Sequence, residues 1–219
     1  IVVLNCKKAA YTVSAIKGGQ CMDTFDLYRD IQCRTNGEIY LGVVGPVRSG
    51  KSTFIKRFMD VLVLPKMTDE HAKERTVDEL PQSASGKSIM TTEPKFVPKE
   101  AAEIQLAKDV SVRVRLIDCV GYMVDGAAGH LENGAERLVK TPWNEKEIPF
   151  TKAAEIGTKK VIHDHSTIGI VVTTDGSIGE LPRESYRAAE KKTIQELKSI
   201  GKPFVVLINT RKPYGTEAK

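Results

Sequence analysis

Gly45-Pro46-Val47-Arg48-Ser49-Gly50-Lys51-Ser52 is the stretch of this chain whose residue types and spacing carry the most chemistry. It fits G-x-x-x-x-G-K-[ST] at every fixed position, a pattern built to bind phosphate. The glycines let the backbone curl so that its N–H groups converge on phosphate oxygens. Lys51 brings a positive charge to the β and γ phosphates, and Ser52 offers a hydroxyl to Mg²⁺. A helix starting at this point adds the positive end of its dipole. Thr53, next in the chain, is counted with these nucleotide-binding residues.

A second signal is Leu116-Ile117-Asp118-Cys119-Val120-Gly121, a carboxylate closing an apolar run and followed by D-x-x-G. P-loop enzymes place their second Mg²⁺ group there. Asp118 is expected to act on the metal mostly through a water, and Gly121 to offer its N–H to the γ-phosphate. A third is Thr91-Thr92, between the P-loop helix and the following strands. Nucleotide switches hold a threonine in that loop whose hydroxyl and carbonyl meet Mg²⁺ and the γ-phosphate. Spacing does not choose between the two. Lys51, Asp118, Thr91 and Thr92 are thus the catalytic candidates, and Ser52, Asp118 and Thr92 the candidate metal ligands.

Base recognition is read from a departure. GTPases commonly end the relevant strand with N-K-x-D, whose aspartate accepts the guanine N–H groups. This chain has Asn209-Thr210-Arg211-Lys212. Asn209 remains a nucleotide-contact candidate, but Lys212 has no acceptor to offer guanine, so ATP is the expected substrate. Tyr122 stands where a water-orienting glutamine often follows D-x-x-G, so intrinsic hydrolysis is expected to be slow, or helped by another residue or subunit.

These residues need elements to hold them. Glu38 to Val44 reads as a buried strand feeding the loop. Lys51 to Val63 has apolar residues at 54, 55, 58, 59 and 62, one face of a helix. A helix is also expected around Phe25 to Cys33. Residues 66 to 100 read as mostly loop, with a short helix near Asp69 to Leu80. Glu103 to Ala107 and Ser111 to Asp118 read as a hairpin turning at Lys108-Asp109. Residues 119 to 150 read as a surface insertion, followed by a helix over Lys152 to His163 and a strand over Ser166 to Thr173. An amphipathic helix over Arg183 to Ile200 stops at Gly201, before a buried strand over Phe204 to Ile208. Alternation of this kind predicts a three-layer α/β sandwich on a mostly parallel sheet with one antiparallel hairpin strand, the P-loop NTPase class. Such sheets commonly continue past a strand like Phe204 to Ile208, so the sheet is expected to be unfinished and the chain a piece of a longer protein.

With 219 residues, 41% of them hydrophobic, one core is expected. No apolar run approaches the roughly 20 residues of a membrane span. The net charge is +5, and Lys7, Lys8 and Lys17 supply three of it within residues 1 to 21, which contain no acid. A nucleic-acid groove is not suggested by so mild a balance. Cys6, Cys21, Cys33 and Cys119 form no CxxC pair, so reduced thiols are expected. His163 and His165 are two apart and lack a third ligand, so no metal is assigned to them. Residues 1 to 21 read as a leader or upstream remnant with Met22 as the natural start, and 22 to 219 as the ATPase domain, truncated at its C-terminal end.

Several longer runs resemble the stage IV sporulation protein A family. They are residues 45 to 56, 78 to 84 (DELPQSA), 89 to 98 (IMTTEPKFVP), 118 to 122, 141 to 143 (TPW), 153 to 158 (AAEIGT) and 165 to 169 (HSTIG). The resemblance runs from about Met22 to the end. It implies a fold related to translation-factor-type GTPases that nevertheless hydrolyses ATP, with Lys51 as the P-loop lysine and Thr91 and Thr92 as sensor threonines. It further implies irreversible self-assembly into the basement layer of a spore coat. The implied place is the mother-cell cytoplasm at the outer forespore membrane, with a small amphipathic anchoring peptide and other coat proteins as partners. Residues 1 to 21 have no counterpart in that family, and its middle and C-terminal regions are absent. Two other readings stay open: a GTPase-like switch that binds partners, and a structural subunit that binds nucleotide without hydrolysing it.

Overall fold

The fold is taken from a computed structural model, which describes residues 2–5, 12–13, 37–67, 69–81, 92–107, 110–127, 129–132 and 134–215. The helix expected near Phe25 to Cys33, the turn at Lys108-Asp109, and Thr91 lie outside them.

Seven strands form the central sheet: β1 (Val2–Asn5), β2 (Thr12–Val13), β3 (Glu38–Val44), β4 (Lys95–Ala107), β5 (Val110–Asp118), β10 (Ile168–Thr174) and β11 (Phe204–Thr210). Their order is β2-β1-β11-β10-β3-β5-β4. The strands β1, β11, β10, β3 and β5 run parallel, while β4 and β2 pair antiparallel at the two edges. This is the mixed α/β, mostly parallel arrangement expected from the sequence.

Strand alternation sends neighbouring residues to opposite faces, and two cores result. Val44, Ile117 and Val171 pack on one face with Tyr186, Ala189 and Leu197 of α4 (Arg183–Ser199). Val43, Leu116, Ile170 and Val172 pack on the other with Ile55 of α1 (Lys51–Phe58). Met59 and Val63 join the second core from a π-helical turn that prolongs α1 over Met59–Val63. The expected helix over Asp69 to Leu80 is α2 (Glu70–Glu79), capped by the Asp69 carboxylate, which accepts from the N–H groups of His71 and Ala72.

Two expectations change. β4 begins at Lys95, inside the stretch read as mostly loop. Pro98 argues against a strand by local rules, but β4 is an edge strand, where a missing N–H breaks no ladder bond. A register shift between Val97 and Ala102 absorbs it. The open edge expected beside Phe204 to Ile208 is instead taken by β1, with Val2 opposite Leu207 and Asn5 opposite Thr210. A short β-branched run meeting unpaired backbone supplies the cause.

The insertion after β5 forms two small hairpins, β6 (Leu131–Glu132) with β7 (Ala135–Glu136) and β8 (Leu138–Thr141) with β9 (Asn144–Pro149). β9 leads directly into α3 (Phe150–Lys160), and a π-helical turn continues that helix to His165.

An ion pair within α4 is tied to β10 through Thr173. Arg183 donates to both carboxylate oxygens of Glu190, and Thr173 Oγ1 donates to Oε2 at 2.6 Å. Burial raises the Glu190 pKa, but the hydrogen bonds from Arg183 and Thr173 outweigh it and hold the group below its ordinary value. A depressed carboxylate stabilises the fold above its unfolded pKa of about 4.3, and that stability is lost as pH falls through the folded value. Glu190→Gln is therefore expected to cost about 1–3 kcal/mol at neutral pH. In urea unfolding, the gap between variant and parent should shrink below about pH 4.

Candidate nucleotide-binding site

The candidate site lies at the C-terminal ends of β3 and β5, where open α/β sheets hold their ligands. α1 starts at Lys51 with Gly50 as its N-cap, no side chain caps it, and its first turn holds no acid. That contrasts with α2, whose end is satisfied by Asp69. The open N–H groups of α1 suit an anion. Arg48 adopts φ 59, the only positive value at a non-glycine among the described residues, and its side chain is exposed. Backbone held in that region is characteristic of a ligand-clamping loop.

Lys51 is 5% exposed and its Nζ donates to the Pro46 carbonyl at 2.5 Å. Burial lowers its pKa, against the pull of the nearby Cys119 and Asp118. Ser52 Oγ donates to Asp118 Oδ2 at 2.8 Å. Burial raises the Asp118 pKa, while the Ser52 hydrogen bond and the Lys51 charge act against it. Asp118 Oδ1 and Ser49 Oγ are buried and have no hydrogen-bond partner among the described residues. A buried carboxylate oxygen left without a donor, beside a hydroxyl, is a donor set that fits Mg²⁺.

The D-x-x-G segment is bonded to the P-loop by backbone. Tyr122 N donates to the Gly45 carbonyl at 3.2 Å and Val47 N to the Tyr122 carbonyl at 2.8 Å. Gly121, at φ 93, is needed there: a Cβ would lie 2.1 Å from Gly45 O and 2.6 Å from Lys51 Nζ. Tyr122 itself turns inward. It is 3% exposed, and Lys192 of α4 places its ammonium 4.7 Å from the ring centroid. The tyrosine is thus a splice and core residue, and sequence reasoning saw only the glutamine it lacks. Beside it, burial pushes the Cys119 thiol up to about 11, in keeping with an inert core residue.

Thr92 is buried at 6% exposure, three positions before Lys95, which registers opposite Asp118. It therefore sits at the Asp118 end of the sheet. Thr53 is exposed on α1. Asn209 is buried and its Nδ2 donates to the Ser49 carbonyl at 3.3 Å, so the end of β11 braces the P-loop.

A loop missed by the sequence reading completes that corner. Asp175, just past β10, accepts from Thr210 Oγ1 and, at 2.6 Å, from Ser177 Oγ. Ser177 Oγ in turn accepts from Arg211 N at 2.9 Å. The signal available was Asp-Gly-Ser at the end of a buried strand, where side chains bond their own backbone. His163 faces Glu196 at 3.0 Å and His165 stacks edge-on to Phe96. No group of three His, Cys, Asp or Glu side chains suited to a metal occurs among the described residues. A separate cleft of about 300 Å³ between α2 and β4, lined by Asp69, Arg75, Glu79 and Lys99 among others, holds none of the site residues.

Comparison with known proteins agrees with this arrangement. The family described as "Stage IV sporulation protein A, ATPase domain" matches residues 22–219. Stage IV sporulation protein A of Clostridioides difficile (strain 630) is 59% identical over 192 residues, which cover 88% of this chain and 39% of the relative. The Bacillus anthracis protein is 55% identical over 193 residues, covering 88% and 39%. That of Bacillus subtilis (strain 168) is 54% identical over 198 residues, covering 90% and 40%. The chain thus spans about two-fifths of the length of these relatives. Its P-loop, the Asp118 segment spliced to it and the match over residues 22–219 agree that the chain belongs to the stage IV sporulation protein A family, through that family's ATPase domain.

Proposed function

We propose that this chain binds ATP with Mg²⁺ and hydrolyses it to ADP and phosphate. The observation that carries the reading is the Ser52–Asp118 hydrogen bond beside a buried Lys51 and an uncapped α1. The P-loop N–H groups and the α1 N-terminus would hold the β and γ phosphates, and Lys51 would meet the charge that develops on the leaving side. Ser52 and the free oxygen of Asp118 would hold Mg²⁺, which when bound neutralises phosphate charge. Thr91 or Thr92 would sense the γ-phosphate. Tyr122 does not orient water, since its ring is packed in the core, so slow intrinsic turnover fits this site.

Adenine is preferred over guanine because Lys212 stands where guanine needs an acceptor. Phosphate release should be supported by ATP, and a tenfold excess of GTP should compete weakly. Efficient GTP hydrolysis would move the chain to the partner-binding switch reading.

Family membership supports the wider role. Hydrolysis would drive self-assembly of the spore-coat basement layer, in the mother-cell cytoplasm on the forespore surface. Partners would be further copies of the protein, a small amphipathic membrane-anchoring peptide and other coat proteins, with no nucleic acid. No helix among the described residues is long and apolar enough to cross a membrane.

A further inference from the structure

Gly157 lies inside α3, where glycine is roughly 1 kcal/mol worse than alanine. It is flanked by buried Ala153, Ala154 and Thr158, so a small side chain would be the ordinary choice. The space around it shows why alanine does not fit. A Cβ on Gly157 would lie 2.6 Å from the Thr92 carbonyl oxygen, and 3.8 Å from both Pro94 Cδ and Trp143 Cη2. The Thr92 contact is to backbone, so no side-chain rotation relieves it. The helix is bare at the one point where the Thr92–Pro94 segment crosses it.

The same point meets two other elements. Trp143 belongs to the tip of the β8–β9 hairpin, where Thr141 pairs with Asn144, and its indole also carries the Lys160 ammonium 5.6 Å from the centroid. Thr158, the next residue of α3, donates its hydroxyl to the Ala154 carbonyl at 2.8 Å and lies beside the Cys119 thiol, adjacent to Asp118. One turn of α3 therefore touches the threonine segment, the D-x-x-G segment and an exposed hairpin.

We infer that Gly157 is a positioning residue that seats Thr92 for hydrolysis, and that Trp143, resting on the same glycine, couples the β8–β9 hairpin to nucleotide. The inference rests on the nucleotide-hydrolysis reading above and names the residues that set its threonine. An added methyl group pushes the Thr92 backbone away without touching the P-loop, so it separates turnover from binding.

Trp143 is the only tryptophan in the chain, so selectively excited tryptophan fluorescence reads this hairpin tip alone. Mg²⁺ with ATP should shift the emission saturably, with the midpoint that equilibrium dialysis of labelled ATP gives. Gly157→Ala should keep its dialysis affinity within about threefold, lose the shift, and drop in kcat by about 10–100-fold with little change in KM. Trp143→Phe should retain near-parental kcat and Trp143→Ala should not. The alanine at 143 decides the matter if Gly157→Ala fails to fold by circular dichroism. Parental kcat in Gly157→Ala, or in Trp143→Ala, overturns the inference while leaving the ATPase reading intact. So does ATP binding that leaves the parental emission unmoved. Absence of ATP binding in the parent chain overturns the ATPase reading, and this inference with it.

Discussion

Lys51→Ala is expected to lower phosphate release from ATP by at least about 100- to 1,000-fold, the scale on which a single preorganised charge partner acts. The lysine sits 5% exposed at the first turn of an uncapped helix, and nothing else in the described P-loop brings a buried positive charge to the phosphates. Its free-protein stability should move the other way. Burial lowers its pKa, and a cation whose folded pKa lies below its unfolded value costs stability at every pH below that unfolded value of about 10.4. Lys51→Met, which fills the same space without charge, should therefore melt at or above the parental temperature without nucleotide while remaining inactive. Such a trade is characteristic of functional sites. Phosphate release and thermal unfolding on the same samples test both halves. A Lys51→Met protein that is inactive and also melts well below the parent would show the lysine to be a fold residue, and the charge argument would fail.

Gly121→Ala should be damaging for a different reason. The residue holds φ 93, where a side chain costs about 1–2 kcal/mol, and its Cβ would lie 2.1 Å from Gly45 O. Relief requires moving the backbone splice between the D-x-x-G segment and the P-loop, for which about 1–3 kcal/mol more is the usual scale of overpacking. The sum corresponds to a fall in Tm of roughly 5–15 °C for a chain of this size. ATP affinity should fall with it, since Gly45 and Val47 are the P-loop groups held by Tyr122. A variant with parental Tm and parental ATP binding would mean that the segment swings clear at no cost, contrary to the packed splice.

Comparing the two variants separates what is local from what is not. Lys51 and Ser52 are legible in the sequence because a phosphate cradle uses consecutive backbone groups, and consecutive residues have fixed spacing. The strand before the loop and the helix after it are legible for the same reason, as periods of two and 3.6. Asp118 is legible because it closes an apolar run. The splice through Tyr122 is not, since it joins residues 45 to 47 with 122 and depends on β3 and β5 lying side by side. Asp175 escapes notice for a similar reason: Ser177 is a local partner, but Thr210, at the end of β11, reaches it only because β10 and β11 pair.

The sequence by itself determined a phosphate-binding loop, its companion carboxylate, the alternation of strands and helices, and the departure of residues 209–212 from N-K-x-D. Each is encoded by neighbouring residues, so the chain's own geometry enforces it. Only the tertiary structure decided that Pro98 lies within an edge strand, that Val2–Asn5 pairs beside Phe204–Thr210, and that Tyr122 faces inward. It alone set Thr92 against a bare turn of α3 at Gly157. Those outcomes depend on which elements become neighbours and on the few tenths of an ångström available between them. No local pattern records either quantity, because both arise from close packing of residues far apart in the chain.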